Sequence, residues 1–118
     1  MEYLALIHAD QSVWETMTDV ERDAASANSP YCSYAARGAG VLVGGEELAS
    51  TASATTVRVR DEQRVVTDGP YTEVKEALGG FFILDCASFD DALDWAARIP
   101  AVHHGAVEVR PVHVDPEA

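Results

Sequence analysis

Basic side chains are scarce in this sequence. Eight Lys and Arg stand against twenty Asp and Glu in 118 residues, a formal charge of −12, and the acids run from Glu2 to Glu117 without collecting in one tail. Such a chain repels phosphate backbones and anionic lipid, which disfavours nucleic acid and membrane surfaces as partners. Its acidity reads as a solvated surface that keeps a small protein in solution. Cysteine is scarcer still: Cys32 and Cys86 lie far apart, match no metal or redox spacing and read as buried structural thiols. No stretch approaches the roughly 18 to 20 apolar residues of a spanning helix, and MEYLALIHAD lacks the basic start and long apolar core of a signal peptide, so the cytoplasm is the expected address. Repeats, low-complexity blocks and linkers are missing, and so are Gly-x-Gly-x-x-Gly, P-loop and Gly-x-Ser-x-Gly motifs. His-x-x-x-His, Glu-x-x-His and Cys-x-x-Cys spacings are absent too, and neither a metal nor a cofactor is expected.

What remains is a chain with 47% apolar residues spread along its length. Its size predicts about 6,200 Å² of folded surface against about 18,000 Å² unfolded, enough for one domain over 1–118 with a real core. Residues 2–8 are apolar at nearly every position, the pattern of a strand covered on both faces. Thr18 and Glu21 form a capping box that opens a helix over about 19 to 38, which Gly38 and Gly40 stop and Pro30 kinks or splits. A second strand at 41–45 is followed by a small, polar loop. Alternation at 56–60 and 63–66 predicts a hairpin with one wet face. After an irregular segment ending at Gly79-Gly80, residues 81–85 read as another central strand. Ser88, with Asp91 three residues on, caps a helix whose apolar stripe is Phe89, Ala92, Leu93, Ala96 and Ala97, with Trp95 off it and Arg98 at its end. Pro100 ends that element, His103-His104-Gly105 makes a loop, and 106–110 is the last strand. The order β-α-β, hairpin, β-α-β predicts an α+β, ferredoxin-like sheet with both helices on one face. The other face needs a cover, and a second subunit packing sheet on sheet supplies it, giving a homodimeric α/β barrel.

Chemistry gathers at few places. Asp68 sits beside the Gly69-Pro70 turn, where a rigid backbone either fixes its carboxylate as a general base or substrate anchor or simply receives that carboxylate's hydrogen bonds. His8 ends the first strand, and the last strand brings Glu108 and Arg110 to one face beside it; the imidazole is either a proton carrier or a hydrogen-bonded core residue. His103 and His104 point opposite ways in extended chain, so one of them is a loop residue, and His113 lies in the solvated tail. Tyr31, Tyr34, Trp14 and Trp95 read as core or dimer-contact aromatics.

The blocks MEYLALIH, AGVLVGGEEL, TTVRVRD, VVTDGPYTEVKEALGGFFILD and ALDWAARIPAVHHGAVEVRPV make the whole chain resemble the YCII-related proteins of the DGPF-motif group. The resemblance implies a dimeric ferredoxin-like α/β barrel, acid-base chemistry drawing on a His and an Asp, and, for some relatives, a link to alternative sigma factors. It points to Asp68, Gly69, Pro70 and Tyr71, with Tyr71 standing where the group has Phe. His8 replaces a common Tyr, His103-His104 a common Arg-Tyr, and Pro30 interrupts a helix that is usually continuous.

Two functions follow as expectations. In the first, a homodimer binds an apolar or aromatic small molecule between sheet and helices and performs a cofactor-free elimination, isomerisation or cyclisation. Asp68 then orients or deprotonates, His8 carries the proton, Arg110 holds an anionic group, and Gly69, Pro70, Tyr71 and His103 line the substrate site. In the second, the chain is a non-catalytic dimeric binding or regulatory module whose DGPY turn only shapes a loop.

Overall fold

The computed structural model describes residues 1–25 and 36–116; Pro30, Tyr31, Cys32 and Tyr34 lie outside them, and with them the expected kink. The first strand, β1 (Glu2–Asp10), alternates as pleating requires: Tyr3 and Ala5 are buried, while Leu4, Leu6 and His8 face the other way. It pairs antiparallel with β5 (Glu76–Asp85) on one edge and β6 (Ala106–Pro111) on the other, and β2 (Leu42–Glu47) completes the order β2-β5-β1-β6. This is the ferredoxin-like arrangement expected from the element order, and the fold is α+β.

The chain leaves β1 through an element that the periodicity does not show, α1 (Gln11–Thr16). It continues through α2 (Asp19–Ala25), opened by the Thr18–Glu21 capping box: Glu21 N–H donates to Thr18 Oγ1 at 3.2 Å. A short α3 (Ala36–Gly38) stands at the end of the span expected to be one helix. Beyond β5, α4 (Phe89–Ala96) begins as foreseen, with Asp91 N–H donating to Ser88 Oγ at 3.1 Å. Its buried face is narrower than the expected stripe. Ala92 and Ala96 are buried, Phe89 and Leu93 are exposed, and Trp95, expected off the stripe, packs against the core under the Arg98 guanidinium. Small residues let the helix sit close on the sheet, so side chains at its flanks spread sideways. Together with Tyr3, Ala5, Phe82, Leu84, Ile99 and Ala101 these residues form one core on the helix side of the sheet. Cys86 belongs to it as expected, and burial, with Asp91 and Asp85 nearby, pushes its thiol up.

Three boundaries depart from expectation. The strand β5 starts at Glu76, well before residue 81, because pairing on both edges holds Gly79-Gly80 extended; a bulge opposite Ile7 and His8 absorbs the extra residue. Pro100 does not merely end α4 but opens a 3₁₀ turn, Pro100–His103, at whose first position its missing N–H costs nothing. The hairpin of β3 (Thr55–Arg60) and β4 (Gln63–Asp68) forms a separate two-stranded ribbon, closed by Asp61 and Glu62 at φ of 50° and 66°. Water reaches both of its faces: Val57 and Val66, paired across it, are each at least half exposed.

Candidate functional site

The end of β1 decides where a site forms. Asp10 accepts the N–H of Ser12 at 2.9 Å and its hydroxyl at 2.7 Å, which caps α1 and turns it back over the sheet. Those two bonds, with Lys75 adding a weaker attraction, hold the Asp10 carboxyl below the usual aspartate value. At the other end Arg22 donates to the carbonyls of Trp14 at 3.0 Å and Glu15 at 2.7 Å, so α1 is tied at both termini. Under it lies a cavity of about 380 Å³. Its walls are Ile7, Ala9, Trp14 and Phe82 from sheet and helix, Leu48 to Ser50 after β2, and Ile99 to Ala101 with His104 from the 3₁₀ turn. This size and apolar lining suit a small organic molecule.

The electrostatics of the cavity are one-sided. Asp10, Glu15, Glu46 and Glu47 line it, and among the described residues no Lys or Arg does. His104 is half-buried there, and among the described residues its side chain makes no hydrogen bond or ion pair. An imidazole in such a place presents its ring nitrogens to whatever enters.

A second, more open cavity of about 410 Å³ adjoins the first, sharing Gln11 and Ser50 with it. Gly69, Pro70, Thr72, Glu73 and Val74 of the DGPY turn and the segment after it form one wall, and Thr51, Ala52 and Ala77 the other. The turn is fixed through its backbone. Gly69 N–H donates to the Ala54 carbonyl at 2.7 Å, Thr56 Oγ1 donates to the Gly69 carbonyl at 2.8 Å, and Gly69 takes φ 109°, which disfavours any side chain.

The residues singled out from the sequence fall into three places. Asp68 ends β4 with its side chain exposed, and among the described residues its carboxylate bonds neither its own turn nor His8. Tyr71 is 77% exposed and stands over Arg58, whose guanidinium carbon is 5.1 Å from the ring centroid. Gly69 and Pro70 wall the second cavity. His8 and Arg110 lie on the opposite face of the sheet from the first cavity. There His8 Nε2 is 3.2 Å from Glu108 Oε1, the neighbour expected for it, and Arg110 sits one pleat further along β6, across from Leu4. His103 is exposed and outside both cavities, while His104 lines the first. Trp14, Gln11 and Glu47 were not singled out as site residues. The Asp-x-Ser capping pattern at residues 10–12 is the signal that would have placed Trp14 on a helix over the sheet. Among the described residues no group of three or more His, Cys, Asp or Glu could hold a metal ion, and no helix is long and apolar enough to cross a membrane.

Comparison with known proteins gives three findings. The family model of the YCII-related domain matches residues 1–114. An uncharacterised protein of Rhizobium meliloti (strain 1021) is 37% identical over 119 residues, covering 95% of this chain and 92% of that one. Among solved structures, the 5-chloro-2-hydroxyhydroquinone dehydrochlorinase TftG of Burkholderia phenoliruptrix AC1100, in complex with 2,5-dihydroxybenzoquinone, is similar with a TM-score of 0.48 at 13% identity, over 99% of this chain and 98% of that chain.

Proposed function

This chain belongs to the YCII-related family, and from that premise we propose that it binds an apolar or aromatic small molecule in the cavity beneath α1 and works as a homodimer. The observation that carries the first part is the cavity itself, with Trp14, Phe82 and Ile99 as walls and the His104 imidazole among them. The second part rests on the sheet. Leu4, Leu6, Phe81 and Ile83 share the face away from the helices, only half-buried. The molecule measures 18 Å along its shortest axis, a sheet with a single layer on it. Its 8073 Å² of accessible surface exceeds the roughly 6,200 Å² of a compact monomer of this mass; the open ribbon accounts for part of the excess, and a second copy on that face would reduce it further.

The chemistry proposed for the site is cofactor-free proton transfer, as in an elimination, isomerisation or cyclisation. Within one subunit His104 is the imidazole in the cavity. His8 as proton carrier and Arg110 as anion holder would act at the opposite face of the sheet and not on a ligand beneath α1, while Asp68, as base or orienting group, stands outside both cavities. A second copy would enclose the His8–Glu108 pair and Arg110, and Asp68 is an exposed carboxylate at the end of the ribbon.

Native mass spectrometry of the wild type and of Ala49→Trp, each against the denatured sample and each with indole added, tests the reading. The expected result is a dimer that retains a small molecule or takes up indole, with uptake lost when the new indole side chain fills the cavity. Uptake that survives the substitution would move the ligand elsewhere, a wild type that takes up nothing would remove the cavity as a binding site, and a monomer would remove the second copy.

A further inference from the structure

Where the two cavities meet, a hydrogen bond joins two side chains across the boundary. Thr51 Oγ1 donates to Gln11 Oε1 at 2.9 Å, partly buried, at the place where the two cavities share Gln11 and Ser50. Gln11 opens α1, and Thr51 opens the 3₁₀ turn Thr51–Ser53 that Ser50 caps through Ala52 N–H. Neither side chain is part of the sheet ladder, so the partition can part by rotamer changes alone, on the timescale of side-chain motion.

We propose that the two cavities are one bipartite site, divided by the Gln11–Thr51 pair, for an elongated ligand with an aromatic or apolar body and a neutral, hydrogen-bonding tail. The proposal rests on the reading of the first cavity as a small-molecule site and names the class of molecule it takes. The body goes beneath α1, against Trp14, Phe82 and Ile99. The tail goes to the second compartment, where Ser50, Thr51 and Thr72 offer hydroxyls and Gln11 turns its amide. With Oε1 engaged by Thr51, the Gln11 Nε2 keeps two N–H donors, which select a tail with a carbonyl or hydroxyl acceptor. Charge excludes an anionic tail: Glu73 joins Glu46 and Glu47 around the combined space, and among the described residues no Lys or Arg lines either part. This also gives the DGPY turn work beyond shaping a loop, since Gly69 and Pro70 wall the end of the site that reads the tail.

Isothermal titration with two probes sharing a ring tests this. 3-Ethylindole carries the body alone, and N-acetyltryptamine adds an uncharged amide tail. The wild type is expected to bind N-acetyltryptamine roughly tenfold more tightly, the worth of one well-made hydrogen bond with its packing. Ala52→Trp fills only the second compartment and should erase that gain without changing the affinity for 3-ethylindole. Gln11→Leu keeps bulk, removes the amide and should lower N-acetyltryptamine binding several-fold. Equal affinities for the two probes in the wild type, or a gain that survives both substitutions, would overturn the bipartite site. Failure of both probes to bind the wild type would instead overturn the cavity reading beneath it.

Discussion

The Asp10 carboxylate receives both the backbone N–H and the hydroxyl of Ser12, and so joins the last residue of β1 to the first turn of the helix that roofs the cavity. Because these bonds favour the ionised form, the Asp10 carboxyl titrates lower in the folded chain than in the unfolded one. A depressed folded value means stability that is fully present above the unfolded aspartate value of about 3.9 and is lost as pH falls through the folded value. Asn caps a helix nearly as well but does not titrate. The stability difference between wild type and Asp10→Asn, from thermal melts across pH 7 to 2.5, should therefore favour the wild type at neutral pH and vanish toward the acid end. A difference that stays constant with pH would remove the charge on Asp10 from the capping of α1.

Gly105 predicts a steric result. A Cβ there would strike the His8 carbonyl oxygen and come within 3.1 Å of Ala9 Cα, where β6 begins beside the end of β1. Overpacking against fixed backbone costs about 1–3 kcal/mol, so Gly105→Ala should lower the urea midpoint by a corresponding amount. Gly38→Ala is the control. A Cβ at Gly38 meets nothing within 4 Å, and the change should be neutral or stabilise by about 0.5 kcal/mol. Equal destabilisation by both would show that the approach at Gly105 is not what the glycine is for.

Phe81 predicts the assembly. It lies on the same open face as Leu4, Leu6 and Ile83, midway along a central strand. A charge buried there without a partner costs several kcal/mol, more than a dimer of ordinary strength can absorb. Light scattering after size exclusion should give a dimer for the wild type and a monomer for Phe81→Glu with its secondary structure intact. A dimeric Phe81→Glu would move the interface off this face.

The sheet was legible because its strands carry long apolar runs, and because Ser88 with Asp91 and Thr18 with Glu21 mark helix starts by chemistry that acts within one turn. The pairing of His8 with Glu108 followed from the strand order alone. The cavity was not legible. Its roof, α1, is shorter than two turns and carries no apolar period, and its floor at Ile99 to Ala101 comes from a proline that reads equally well as an end or as a beginning. Which of two adjacent histidines faces inward depends on the 3₁₀ turn, and the backbone placed His104 there with His103 outside. The glycine pair at 79–80 misled for a related reason: local composition says break, and pairing with strands far away in sequence says continue.

Substituting Asp68 distinguishes a catalytic role for its carboxylate from an architectural one. Its side chain is exposed, and among the described residues the turn beside it is held by Gly69 and Thr56 and not by the carboxylate. Asp68→Asn should thus leave stability within about 0.5 kcal/mol of the wild type. With any substrate that the protein turns over by proton transfer, the same variant should abolish turnover while the dimer persists. Unchanged turnover would strike Asp68 from the mechanism, and a large loss of stability would make its carboxylate part of the fold after all.

The one-sided charge of the cavity predicts how it discriminates between ligands of the same shape. Indole-3-propionamide and indole-3-propionate differ by a neutral amide against a carboxylate, so their difference in affinity isolates the sign of the field. Glu46 and Glu47 lie at the edge of the site, partly open to water, where each repulsion amounts to about 1 kcal/mol at 4 Å and is screened over about 10 Å at 0.1 M salt. The amide should bind about tenfold more tightly at low ionic strength. The gap should narrow in 1 M salt, and Glu47→Gln should narrow it at low salt with little effect on the amide. Hydrogen bonding cannot mimic this pattern, because salt leaves a neutral contact nearly untouched while it weakens a charged one. Tighter binding of the carboxylate would mean that a cation reaches the site, and the one-sided field would be struck from the account.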